Sequence, residues 1–81
     1  MIIRTLFFAS YKDIAGSDAL DIELPEGALV SDLVSQLRAC GDCWNDLPAS
    51  PVAAVNREYS PLSTSLAHGD EVAFIPPVSG G

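Results

Sequence analysis

Residues 20–41 read LDIELPEGALVSDLVSQLRACG, and within them the hydrophobic period changes once. Leu20, Ile22 and Leu24 alternate with Asp21 and Glu23, the period of two that a half-buried strand requires. Pro25-Glu26-Gly27 then punctuates the chain. From Val30 onward the apolar residues fall at Val30, Leu33, Val34, Leu37 and Cys40, a spacing that lines one face of a helix. Asp32 suits the first turn of that helix and Arg38 its last, and Gly41 is the expected stop. No obvious N-cap precedes it.

On the N-terminal side, residues 2–9 are rich in Ile, Leu, Phe and Thr, the composition of a strand. Ile3, Thr5, Phe7 and Ala9 fall on one face, and Ile2, Arg4, Leu6 and Phe8 on the other. Arg4 must reach water, so the second face is read as outward and carries Leu6 and Phe8 with it. Residues 10–18 form a polar connection with room for one helical turn before Gly16. On the C-terminal side, Val52 to Val55 reads as a short buried strand ended by Asn56-Arg57-Glu58. Tyr59 starts a very short strand that Pro61 stops, and His68-Gly69-Asp70 is a turn signal. In the last strand, Glu71 to Ile75, Val72 and Phe74 share a face. Glu71 places its own face toward solvent, and Ile75 lies on it. The order is strand, strand, helix, strand, short strand, strand. It predicts an α+β domain, a β-grasp (ubiquitin-like) roll with a mixed sheet of four to five strands and one main helix packed across it. The first and last strands are expected side by side at its centre. Residues 1–75 are read as this domain and residues 76–81 as an extended tail.

Composition narrows the function. With 81 residues and 48% hydrophobic content the chain supports one thin core, burying roughly 60–65% of its surface on folding. Four basic residues against 11 acidic ones leave a net charge of -7, which argues against nucleic acid and for partners with basic surfaces. No apolar run approaches the roughly 20 residues of a membrane span. Arg4 lies inside the first apolar run, unlike a signal peptide. The expectation is a cytoplasmic domain.

Catalytic and metal-binding motifs are sparse. His68 is read as a solvated turn residue, because acid–base work needs a positioned partner. Cys40-Gly41-Asp42-Cys43 lacks the second ligand pair of a zinc site and lies at the helix end where the dipole disfavours a thiolate. Cys40 is therefore read as a core residue and Cys43 as a loop residue, with no metal and no bound cofactor. The C-terminus is different. After the strand come Pro76-Pro77-Val78-Ser79 and then Gly80-Gly81. Two prolines deny the sheet its hydrogen bonds and favour an extended arm. Two glycines make a tip slim enough for a narrow channel. A terminal carboxylate becomes an acyl donor once ATP converts it to an adenylate, after which a sulfur nucleophile or an amine displaces AMP. That chemistry calls for an adenylating partner.

Four segments carry a resemblance: IIRTLFFASYKDIAGSD (2–18), LPEGALVSDLVSQL (24–37), AAVNREY (53–59) and above all HGDEVAFIPPVSGG (68–81). Along essentially its whole length the chain resembles the small subunit of molybdopterin synthase, a ubiquitin-like sulfur carrier. The resemblance implies that Gly81 is adenylated by a ubiquitin-activating-like enzyme using ATP and magnesium, then converted to a thiocarboxylate. The sulfur passes to cyclic pyranopterin monophosphate within a heterotetramer of two large and two small subunits. Gly80 is implied as the slim penultimate residue, and Phe8, Tyr59 and Ile75 as an apolar docking patch beside the tail Pro76, Pro77, Val78 and Ser79. Leu29 stands where the family often has a helix-capping Thr or Ser. Carriers for thiamine, cysteine or transfer-RNA thiolation and protein modifiers share the fold and tail, and a non-covalent β-grasp binding module is the reading from a different class.

Overall fold

The computed structural model describes residues 1–39 and 51–76. The expectations for Cys40, Gly41, Cys43 and the tail from Pro77 to Gly81 lie outside the described residues. The elements run β1 (Ile2–Phe7), α1 (Ser10–Ala15), β2 (Ala19–Glu23), α2 (Val30–Arg38), β3 (Val52–Val55), β4 (Glu58–Ser60) and β5 (Glu71–Ile75). The strands form one five-stranded sheet in the order β2-β1-β5-β3-β4. β1 and β5 pair in parallel and every other neighbouring pair is antiparallel, so the first and last strands do lie together inside the sheet. This is the β-grasp arrangement.

Alternation decides the core. Ile3 and Phe7 from β1, Val72 and Phe74 from β5, and Ala53 and Val55 from β3 are buried together with Val30, Leu33, Val34 and Leu37 of α2. These four helix residues are the stripe that the period of 3.6 picked out. Phe7 pairs with Phe74 across the parallel ladder, and their rings stack at 6.3 Å between centroids. Such a contact adds about 1 kcal/mol beyond the area it buries. Thr5 is fully buried in this layer and satisfies its hydroxyl on the Ile3 carbonyl at 3.4 Å.

Three details differ from the sequence reading. Ala9 is exposed and does not continue the inner face, because the strand ends at Phe7 and the backbone turns at Ala9 with φ 49° and ψ −126°. Tyr11 N–H then bonds the Phe8 carbonyl at 3.0 Å and the first short helix begins. α2 ends at Arg38, with Ala39 as its C-cap, two residues before Gly41. Finally, the strand Val52–Val55 is buried at Ala53, Ala54 and Val55 as expected, but Val52 at its start is 49% exposed.

The missing N-cap of α2 has a tertiary answer. Leu29 occupies the cap position, and its N–H donates to Asp32 Oδ2 at 2.7 Å. The N–H groups of Val30 and Ser31, orphaned at any helix start, donate to the carbonyls of Thr64 and Leu62 at 3.0 and 2.9 Å. A loop distant in sequence therefore supplies what a capping side chain would. It holds α2 against the sheet.

Candidate functional site

The outward face of the sheet divides into two halves. At the end where β1 and β5 start, Arg4 pairs in register with Asp21 on one side and Glu71 on the other, and Ile2 faces Glu23. Toward the other end the paired strand residues of this face carry no charge. Leu6 pairs with Ala19 and Ala73, Ala73 with Ala54, and Ala54 with Tyr59, a continuous apolar row across all five strands. The next row holds Ile75 opposite Val52, and Phe8 follows Phe7 as Ile75 follows Phe74. Phe8 and Val52 are each 49% exposed and Tyr59 is 75% exposed, while Ile75 is half-buried. Isolated exposed apolar residues are ordinary, whereas neighbours on adjacent strands make a patch of the kind that partners cover.

Two turns hold the charged end in place. Asp70 accepts from the Ala67 N–H at 2.8 Å and from Asn56 Nδ2 at 3.1 Å, and its carbonyl accepts from the Arg4 N–H at 3.0 Å. Asn56 in turn accepts from the Glu71 N–H at 3.1 Å. The β3–β4 hairpin thus clamps the start of β5. The hairpin turn has Asn56 and Arg57 both at positive φ, 51° and 73°. His68 is more than a solvated turn residue: its Nδ1 accepts the Ile2 N–H at 2.9 Å, tying the turn to the start of β1. At the patch end, Lys12 and Asp18 form an ion pair at 2.7 Å that lifts the lysine above its ordinary range through the hydrogen bond and charge of Asp18. Both side chains are well exposed, so this pair adds little to stability.

Strand pairing puts Tyr59 and Ile75 on one face of the sheet, and Phe8 follows directly on β1 and lines a pocket with Leu6 of that face. Leu6 lies on this face as alternation placed it, with Ala73 on the same face as Ile75; the structure adds Val52 and Ala54, which sequence reasoning did not single out. Only strand pairing reveals them, because Val52 becomes a patch residue by standing opposite Ile75. Pro76, half-buried, follows Ile75 at the end of the central strand, so the chain leaves the sheet beside the patch. Among the described residues no group of three His, Cys, Asp or Glu side chains is placed to hold a metal. No helix among them is long and apolar enough to cross a membrane.

A roll whose first and last strands pair in parallel inside a mixed five-stranded sheet defines a class, the small ubiquitin-like β-grasp domains. The chain belongs to the ThiS family, whose model matches residues 5–81. A molybdopterin synthase sulfur carrier subunit of Chlamydomonas reinhardtii is 39% identical over 83 residues, covering all of both chains. Among solved structures, a protein assigned as molybdopterin converting factor subunit 1 of Pyrococcus furiosus superposes with a TM-score of 0.82 at 30% identity, over 96% of this chain and 99% of that one. The small archaeal modifier protein 1 of Haloferax volcanii gives 0.78 at 27% identity, over 95% and 98%. A Helicobacter pylori complex of subunits 1 and 2 of molybdopterin-converting factor contains a chain with the same fold, at a TM-score of 0.73 and 23% identity over the whole of both chains.

Proposed function

We propose that this protein is the sulfur carrier subunit of a molybdopterin synthase, with Gly81 as its working end. The carboxylate of Gly81 attacks the α-phosphate of ATP on an adenylating enzyme of the ubiquitin-activating type, and pyrophosphate leaves. A sulfur nucleophile displaces AMP and leaves a thiocarboxylate. The large synthase subunit then receives the tail, and the sulfur passes to cyclic pyranopterin monophosphate. Gly80 lets the tip enter a narrow channel, and Pro76, Pro77, Val78 and Ser79 span the distance. Five residues follow Pro76, and an extended chain of that length reaches at most roughly 18 Å. The docking surface must therefore lie close to the channel mouth, which favours the patch of Phe8, Val52, Tyr59 and Ile75 as the docking surface.

The observation that carries this reading is that contiguity: the central strand ends at Ile75 within an exposed apolar patch, in a chain 39% identical over its full length to a named sulfur carrier. The acidic side chains Asp21, Glu23 and Glu71 on the same outward face match a basic rim on the partner. Association is then expected to slow as salt is raised. The decisive experiment is intact-mass measurement after incubation with the adenylating enzyme, ATP, magnesium and a sulfur donor. The chain should gain the mass difference of one oxygen replaced by sulfur, and deletion of Gly80-Gly81 should abolish the gain without changing the melting temperature. The likeness to an archaeal modifier favours a second outcome, amide conjugates to lysines of other proteins, which the same spectra would reveal as higher-mass species.

A further inference from the structure

We infer that Tyr59 is the polar anchor of the docking face, its ring covered by the large synthase subunit and its phenol oxygen held by a hydrogen-bonding side chain of that subunit. The inference rests on the docking reading above and goes beyond it by assigning a specificity role to one group. Among the described residues Tyr59 is the most exposed of the large apolar side chains, at 75%, and it stands at the end of the row whose other members are Ala54, Ala73, Leu6 and Ala19. None of these carries a polar side-chain atom. The small side chains of Ala54 and Ala73 leave the face low beside Tyr59, so the ring is the projecting feature on that side and Phe8 is the one on the other. A shallow groove lined by Val52, Tyr59, Pro61 and Leu62 opens at the outer edge.

A partner that closes over the row must therefore cover the ring, and the phenol loses water when it does so. A hydroxyl buried without a hydrogen bond costs free energy comparable to the bond itself, so a matched partner supplies one. Tyrosine is also among the residues that dominate interfaces, because it buries a large rigid area at low entropic cost. A partner seat built for an aliphatic residue would leave this phenol unpaired and would discriminate against the chain. Tyr59 thus sets which large subunit the carrier fits.

The test is calorimetric titration of the full chain into the large subunit from the same organism, with Tyr59→Phe, Tyr59→Ala and Phe8→Asp in parallel. Tyr59→Phe is expected to weaken binding by about tenfold and Tyr59→Ala by about a hundredfold, with melting temperatures unchanged. Wild-type affinity for Tyr59→Phe alongside a large loss for Tyr59→Ala would overturn the phenol's role and leave the docking face intact. Wild-type affinity for both tyrosine variants, with Phe8→Asp still disruptive, would overturn the inference and confine docking to the Phe8 side. Wild-type affinity for all three would remove the docking reading itself.

Discussion

Phe7 and Phe8 are adjacent, chemically identical and opposite in fate: one is 2% exposed and stacked on Phe74, the other 49% exposed and lining a pocket with Leu6. The same contrast runs across the sheet. Val72 and Phe74 are fully buried while Ala73 and Ile75 between and after them are not. The inner face supplies stability because α2 covers it. In the described structure nothing covers the apolar half of the outer face, so the same kind of side chain there is available to a partner. Hydrophobicity does not separate the two roles. Parity along the strand does.

The contrast can be broken most sharply at Phe7. Phe7→Ala should cost about 3–5 kcal/mol in chemical denaturation, because a fully packed ring leaves a cavity behind. A loss below about 1 kcal/mol would mean that the two faces have been assigned backwards. Asp70→Ala should cost about 1–2 kcal/mol by removing acceptors for Ala67 and Asn56 and loosening the start of β5. Ala9→Gly goes the other way. With φ at 49° and ψ at −126° the alanine backbone is strained, and glycine should stabilise the fold by about 1 kcal/mol, measurable as a raised melting temperature. Phe8→Asp should change stability by no more than about 0.5 kcal/mol while weakening binding to the large subunit by at least about a hundredfold. Phe7→Ala is thus a folding variant and Phe8→Asp a docking variant, one residue apart.

Much of the fold was legible before any coordinates. The switch of period between Leu24 and Val30 marks strand and helix, and the parity argument from Arg4 and Glu71 placed Phe8 and Ile75 outward. Those signals are local, and local periodicity is what a linear chain displays. Val52 was misread because a four-residue apolar run has no charged member to reveal which parity faces water. The start of α2 carried no capping side chain because its donors are met by Leu62 and Thr64, some 30 residues on. His68 gave no hint of its bond to the Ile2 N–H, since that partner lies 66 positions away.

The sequence by itself determined which residues are inward and outward on the strands that carry a charged residue, the helix stripe, and the family resemblance, because each depends on neighbours within a few positions. Only the tertiary structure decided which outward residues meet one another. Tyr59, Ala54, Ala73 and Leu6 become one row through pairings between strands far apart in the chain, and Val52 joins the patch by standing opposite Ile75. A docking face is a property of strand order, and strand order is set by how the helix and the ladders close the core together.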